Sequence, residues 1–160
     1  MNQAHTKKDV FDTIPYLLQH ISSVLDRQFA TELEEQTDVT LSQLRVIEAL
    51  LQQPYSLQRS IADFLGQTES AISRQVAILE EQGYVVRKKN PNDSRQRIIA
   101  LQPEAKQVAA SAKQLRKVCY QRVLQSTLGP QNLHSLSGQL NLLHDRLCSS
   151  SPYGCTQHIR

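Results

Sequence analysis

The chain has no tryptophan, one methionine, three cysteines and five glycines in 160 residues, and aromatic residues make up only 5% of it. So few aromatics and glycines argue against a β-sandwich and favour helices. An odd number of widely spaced cysteines does not suit a disulfide framework, so reduced thiols and a cytoplasmic setting are expected. No unbroken apolar run exceeds four residues, Ile98–Leu101 being one, whereas a membrane helix needs about 20. Met1 to Asp12 lacks an apolar stretch behind a basic start, and no secretory signal is expected there. No phosphate-cradling glycine loop, nucleophile elbow or HExxH zinc motif occurs. The expectation is therefore a protein that is not an enzyme, with no cofactor, no metal and no membrane partner.

Hydrophobic residues make up 39% of the chain and charged residues 21%, enough for a packed core. The length suits one compact domain or two small intertwined ones. The net charge is only +3, but it is unevenly placed. Asp26 to Glu48 carries six acids against two bases, and Tyr84 to Gln102 carries five bases against one acid. From Pro103 onward there are seven bases and two acids. One dense basic stretch in a near-neutral chain is a local site for an anion, unless it is simply a solvated loop.

Apolar periodicity predicts a mainly α fold with a small β-hairpin. A first helix spans about Asp9 to Glu34 on Val10, Ile14, Leu17, Ile21 and Val24, with Pro15 in conflict near its start. Thr40-Leu41-Ser42-Gln43 is a capping box opening a second helix that ends before Gln53-Pro54. A third runs from Gln58 to Leu65 and stops at Gly66. Thr68 caps a fourth, which runs to Gln82 with Ile72, Val76 and Leu79 inward. Two short helices joined this tightly form a helix-turn-helix.

After Gly83 the pattern becomes extended. Tyr84 to Lys89 and Arg95 to Leu101 are expected strands flanking a long Asn90–Ser94 tip. A hairpin directly behind a helix-turn-helix is a wing. A fifth helix covers about Pro103 to Thr127 with Ala105, Val108, Ala112, Leu115 and Cys119 inward. A sixth carries Leu133, Leu136, Leu140, Leu143 and Leu147, a three-four alternation that reads as a coiled-coil seam. Residues 40–102 are thus a winged helix-turn-helix, 9–39 and 103–148 a helical dimerisation region, and 149–160 a flexible tail.

A helix-turn-helix lays its second helix in the major groove of double-stranded DNA. Here that helix offers Thr68, Glu69, Ser70, Ser73, Arg74 and Ala77. Small hydroxyl residues allow close approach, and Arg74 can reach guanine O6 and N7 or a phosphate. An ordinary surface helix also has a polar face; the basic hairpin that follows favours DNA. In the wing, the candidates are Arg87, Lys88, Lys89, Asp93, Ser94, Arg95 and Arg97. Two residues apart, Asp93 is expected to hold the Arg95 guanidinium in a bidentate pair and aim it at the minor groove.

The run Ile61-Ala62-Asp63-Phe64-Leu65-Gly66, then Thr68, Ser73-Arg74, Leu79-Glu80, Gly83-Tyr84-Val85-Val86-Arg87, Asp93-Ser94-Arg95 and Leu101 resembles the winged-helix core of the MarR family of bacterial transcriptional regulators. The resemblance implies a homodimer with its first, fifth and sixth helices interleaved, seated on a pseudo-palindromic operator. It also implies a repressor relieved by a small-molecule effector or by cysteine oxidation. This chain departs from the family pattern at Gln102 and Ala105, where a Thr and a Gly are usual. It also lacks the first-helix cysteine of the oxidation-sensing branch.

Tyr16 and His20 on the first helix are candidates to line a ligand cleft between the dimerisation helices and the winged lobe. Cys119, Cys148 and Cys155 are candidates for a redox switch, the alternative reading in which oxidation controls DNA binding. Cys119 on an apolar stripe is the more inert of them. Cys148, Cys155 and His158 in a tail do not make a metal site. A winged-helix adaptor for proteins would need an apolar recognition face, which Glu69, Ser70, Ser73 and Arg74 do not supply.

Overall fold

In the computed structural model, residues 9–150 are described. They form six helices and three short strands in the order α1 (Val10–Gln36), α2 (Leu41–Gln52), β1 (Ser56–Leu57), α3 (Gln58–Leu65), α4 (Glu69–Glu81), β2 (Val85–Asn90), β3 (Asp93–Leu101), α5 (Pro103–Thr127) and α6 (Pro130–Ser150). The chain divides into two compact units, one reaching Cys119 and one beginning at Tyr120.

In the first unit, helix boundaries follow local chemistry. Asp9 caps α1, its carboxylate accepting from the Phe11 N–H at 3.0 Å. The helix then runs on through Pro15 instead of starting after it, although a proline there cannot donate to the Phe11 carbonyl. Both halves of the Thr40 capping box are present. The Thr40 hydroxyl accepts from the Gln43 N–H at 3.3 Å, and the Gln43 side chain accepts from the Thr40 N–H at 2.6 Å. Gly66 ends α3 in the left-handed region, φ 62°, where a side chain would be strained.

The core sits where α2, α3 and α4 meet the sheet and the C-terminal half of α1. Phe29 and Leu33 of α1, Leu44, Ile47 and Leu50 of α2, Ile61 of α3, Ile72, Val76 and Leu79 of α4, and Ile99 of β3 are buried. Each such side chain contributes about 1.5–3 kcal/mol by leaving water. The first part of α5 joins this unit with small residues inward: Ala105, Ala109 and Ala112 are buried. Arg116 of α5 pairs with Glu48 of α2 at 2.9 Å and lies 4.7 Å over the Phe29 ring.

The sheet is three-stranded and antiparallel in the order β1-β3-β2. The two-residue β1, paired with Ile98 and Ile99, is an addition to the expected hairpin. The tip is also shorter than expected: β2 reaches Asn90 and β3 begins at Asp93, leaving Pro91-Asn92 as the turn. The Asn90 carboxamide closes it by accepting from the Asn92 N–H at 3.0 Å. At the base, the Gln102 N–H donates to the Tyr84 carbonyl at 2.9 Å. Gln102 therefore closes the hairpin while Pro103 opens α5.

In the second unit, the end of α5 is followed by Leu128-Gly129 and then α6. The helix runs through Ser150, two residues into the segment expected as tail. Residues 151–160 lie outside the described residues. Leu136, Leu140, Leu143 and Leu147 are all exposed. The N-terminal half of α1 in the first unit likewise exposes Val10, Phe11, Ile14, Leu17 and Ile21, with Phe11 at 84%.

A polar latch joins the α1–α2 turn to the start of the wing. The Tyr84 hydroxyl donates to the Asp38 carboxylate at 2.6 Å, and the Gln82 carboxamide donates to the Asp38 carbonyl at 2.7 Å. The hydrogen bond to Asp38, then burial, then the Asp38 charge raise the Tyr84 phenol from 10.0 to about 12. The folded state thus holds this proton more tightly than the unfolded chain. Its contribution is complete below pH 10 and is lost as pH rises through 12. Tyr84→Phe is expected to lower stability by about 1 kcal/mol at pH 7. It should also flatten the loss of stability between pH 10 and 12, both read by urea unfolding; an unchanged alkaline profile would mean that the latch does not form.

Candidate nucleic-acid interface

Burial of Ile72, Val76 and Leu79, at i, i+4 and i+7, fixes which side of α4 faces the core. Glu69, Ser70, Arg74 and Ala77 are consequently exposed, and Ser73 is half-buried beside them. Thr68 caps the helix, its hydroxyl accepting from the Ala71 N–H at 3.2 Å and lying 3.2 Å from the Ser70 hydroxyl. The Gln58 carboxamide donates to the Glu69 carbonyl at 3.2 Å, pinning the start of α4 to α3. The six residues expected on the recognition face therefore lie together on one helix start and one helix side. Arg74 takes no ion-pair partner among the described residues, so its guanidinium is available to a ligand.

Arg59 is a cation at this helix start that the sequence reading did not single out. Its guanidinium is 3.9 Å from the Glu69 carboxylate, with both side chains well exposed. Such a pair is weak. Nothing in the local pattern of α3 marks Arg59; only the packing of α3 beside α4 brings it there.

The wing residues divide by face. Directly opposed residues share a side of the sheet, and the register places Val85 opposite Leu101, Arg87 opposite Ile99 and Lys89 opposite Arg97. Lys88, opposite Ile98, lies on the other side. Lys88, Lys89, Arg95 and Arg97 are exposed. Lys89 and Arg97 are like charges set directly opposite each other, an arrangement that destabilises a sheet until an anion arrives.

Arg87 departs from this group: its guanidinium pairs with the Glu80 carboxylate of α4. The second Glu80 oxygen accepts from the Arg87 backbone N–H at 3.3 Å.

The tip also departs from expectation. Lys89 opposes Arg97 but Asn90 opposes Asp93. Ser94, Arg95 and Gln96 therefore have no opposite residue on β2 and bulge from the ladder. The Asp93 carboxylate accepts from the Arg95 backbone N–H at 3.0 Å, so it orders the Arg95 main chain, and the guanidinium has no ion-pair partner among the described residues. The expected bidentate pair is replaced by an Asx-type turn, because the bulge points the Arg95 peptide, not its side chain, at the carboxylate.

Tyr16 and His20 stack on one another, ring centroids 5.6 Å apart and planes 5° from parallel, and both are exposed. An open cleft of about 380 Å³ lies nearby, lined by Gln19, Ser22, Ser23, Asp26 and Arg27 of α1 and by Leu41 and Arg45 of α2, among others. Asp26 and Arg45 pair across it at 2.7 Å. Tyr16 and His20 are not among its lining residues. Cys119 is 5% exposed, poor access for thiol chemistry. Cys148 falls in the last turn of α6, and Cys155 lies outside the described residues. No three His, Cys, Asp or Glu among the described residues are grouped to hold a metal, and no helix among them is long and apolar enough to cross a membrane.

Residues 37–96 match the sequence model of the MarR family. No curated protein matches the chain. Wild-type MarR from E. coli in its apo form is 21% identical, covering 81% of this chain and 95% of its own, with a TM-score of 0.74. The transcriptional repressor CouR, bound to a 23-mer DNA duplex, is 24% identical over 86% of this chain and 96% of its own, with a TM-score of 0.69. A MarR variant from E. coli complexed with operator DNA is 22% identical over 84% of this chain and 98% of its own, with a TM-score of 0.66. At such identities the structural likeness is one of fold. The matched segment spans α2, α3, α4 and most of the wing, the elements that build the candidate interface described above, and it is in this segment that the chain is similar to the MarR family.

Proposed function

We propose that this protein is a homodimeric, sequence-specific DNA-binding transcriptional regulator, a cytoplasmic repressor released by a small-molecule effector. One observation carries the DNA reading. The exposed side of α4 presents Arg74 without an ionic partner among the described residues, and the adjoining wing sets Lys89 directly opposite Arg97. Both features are unfavourable or idle in the isolated chain and are satisfied by phosphates and base edges. The structural neighbours bound to a DNA duplex and to operator DNA support the same reading.

In this reading residues 40–102 bind DNA. Thr68, Glu69, Ser70, Ser73, Arg74 and Ala77 enter the major groove, and Lys88, Lys89, Arg95 and Arg97 follow the backbone and the minor groove. Residues 9–39 and 103–148 form the dimerisation region. The apolar stripe of α1 and the leucine seam of α6, each exposed in its own unit, supply a surface that water disfavours and a second copy covers. A dimer places two wings on the two halves of a pseudo-palindrome. The α1–α2 cleft supports an effector site: its serines, Gln19 and the Asp26–Arg45 pair suit a small polar molecule.

Selection from a randomised duplex pool is expected to recover an inverted repeat, and Arg74→Ala should weaken binding to it by about 1–3 kcal/mol and relax one position in each half. Recovery of no sequence would reject the reading, and an equal loss on all duplexes would confine Arg74 to phosphate.

Asp93→Ala removes an acid and so raises the charge of the wing tip. Counterion release alone then predicts equal or tighter binding. With Asp93 ordering the Arg95 main chain, weaker binding to the selected duplex is expected, non-additive with Arg95→Ala. Titrations of both single variants and the double variant at several salt concentrations decide it, and tighter binding by Asp93→Ala would reduce the wing to plain charge.

Sedimentation at micromolar concentration is expected to give a species of twice the chain mass. A monomer would remove the dimer from this reading.

A further inference from the structure

Glu80 lies in the last turn of α4, half-buried and followed in the helix only by the exposed Glu81. It lies seven residues after Ser73 and three after Ala77, so helical periodicity places it below them on one face. Its carboxylate spends both oxygens on one residue of the wing. One pairs with the Arg87 guanidinium and the other accepts the Arg87 backbone N–H at 3.3 Å. Arg87 shares its side of the sheet with Lys89 and Arg97. A single side chain thus links the end of the reading helix to the root of the basic face of the wing. Both partners are about two-thirds buried, at 32% and 36% exposure, so solvent screens them less than it screens the tip.

We infer that Glu80 and Arg87 are positioning residues: together they set the wing at a fixed angle to α4, so that the two engage one duplex at the same time. The inference rests on the DNA-binding reading above and assigns Arg87 a different part in it. Composition counts Arg87 among the wing cations, but Glu80 already neutralises it, and it makes no contact with phosphate.

A second feature supports a strut at this point. β2 follows α4 after three residues, Gln82, Gly83 and Tyr84. Gly83 among them adopts φ 80°, a backbone state that alone does not hold a direction. The backbone bond from the Tyr84 N–H to the Leu79 carbonyl, at 2.8 Å, closes the turn, and pairing with β3 holds the strand beyond it in the sheet. The Glu80–Arg87 bracket acts on that strand two residues further on.

The test uses the full chain, with duplexes selected by the wild-type protein from a randomised pool and a scrambled duplex of equal length. Glu80→Gln keeps the shape of the side chain and removes an acid near DNA. Charge alone predicts tighter binding to both duplexes. The positioning role predicts about tenfold weaker binding to the selected duplex, with scrambled-duplex binding unchanged or tighter.

Arg87→Met keeps most of the apolar stem and removes the cation. It should also lose about tenfold on the selected duplex while leaving the salt slope as in the wild type, because Arg87 was already neutralised. A direct phosphate contact would instead lower the slope by about one unit.

Thermal melts identify a variant that unfolds, and the other variant then carries the test. Tighter binding of Glu80→Gln to the selected duplex, or a salt slope reduced by about one in Arg87→Met, overturns the proposal. If the wild-type protein selects no duplex, it is the DNA-binding reading that fails.

Discussion

The burial of one edge of α4 governs the rest of the molecule. Ile72, Val76 and Leu79 lie in the core with residues of α1, α2, α3 and the sheet, and the three together contribute several kcal/mol of burial. The hydrogen bonds on the opposite side, among Thr68, Ser70 and Ala71, are worth about 1 kcal/mol each at most in an exposed setting. The apolar edge therefore decides how the helix is rotated about its axis, and the polar side follows. Because a helix turns 100° per residue, a slip of one residue would swing Ser73, Arg74 and Ala77 off the outer face. The cap at Thr68 and the left-handed Gly66 before it prevent that slip by fixing where the helix begins.

Charge is distributed by how far each ion is committed within the fold. The acidic segment from Asp26 to Glu48 contributes much of its charge to internal contacts. Asp26 pairs with Arg45, Glu48 with Arg116, and Asp38 accepts from Tyr84. Among the described residues the wing cations beyond Arg87 have no such partners, and two of them face each other. A chain of small net charge thereby carries one region of unopposed positive potential. Exposed charges at a tip are screened over about 8 Å at physiological salt, so affinity arising there depends on ionic strength, while the half-buried Glu80–Arg87 pair is less sensitive.

The elements legible in the sequence are those specified by neighbours in the chain. The Thr40 capping box, the glycine stop at Gly66, the Thr68 cap and the three-residue link through Gly83 each act within a few residues. The helices they bound lie where the periodicity places them. Pro15 shows the limit of a local rule: α1 runs through it, one missing hydrogen bond being a small term in a helix of 27 residues. The two-residue β1 was illegible because it is too short to show alternation, and its pairing with β3 lies some 40 residues away in sequence.

What the sequence by itself determined about this protein is the list of helices, the inward edge of α4 and the presence of a basic hairpin, because periodicity, caps and β-branching are local properties. Tertiary structure decided which of the basic residues remain uncommitted. Arg87 is neutralised because α4 lies beside β2, Arg95 leaves the ladder because the register shifts at Asn90, and the cleft opens at Gln19 and Arg45 rather than at Tyr16 and His20. Composition counts a charge wherever it occurs. Only the packing of one element against another determines whether that charge already has a partner, since Coulomb energy and desolvation depend on distance in space and not on distance along the chain.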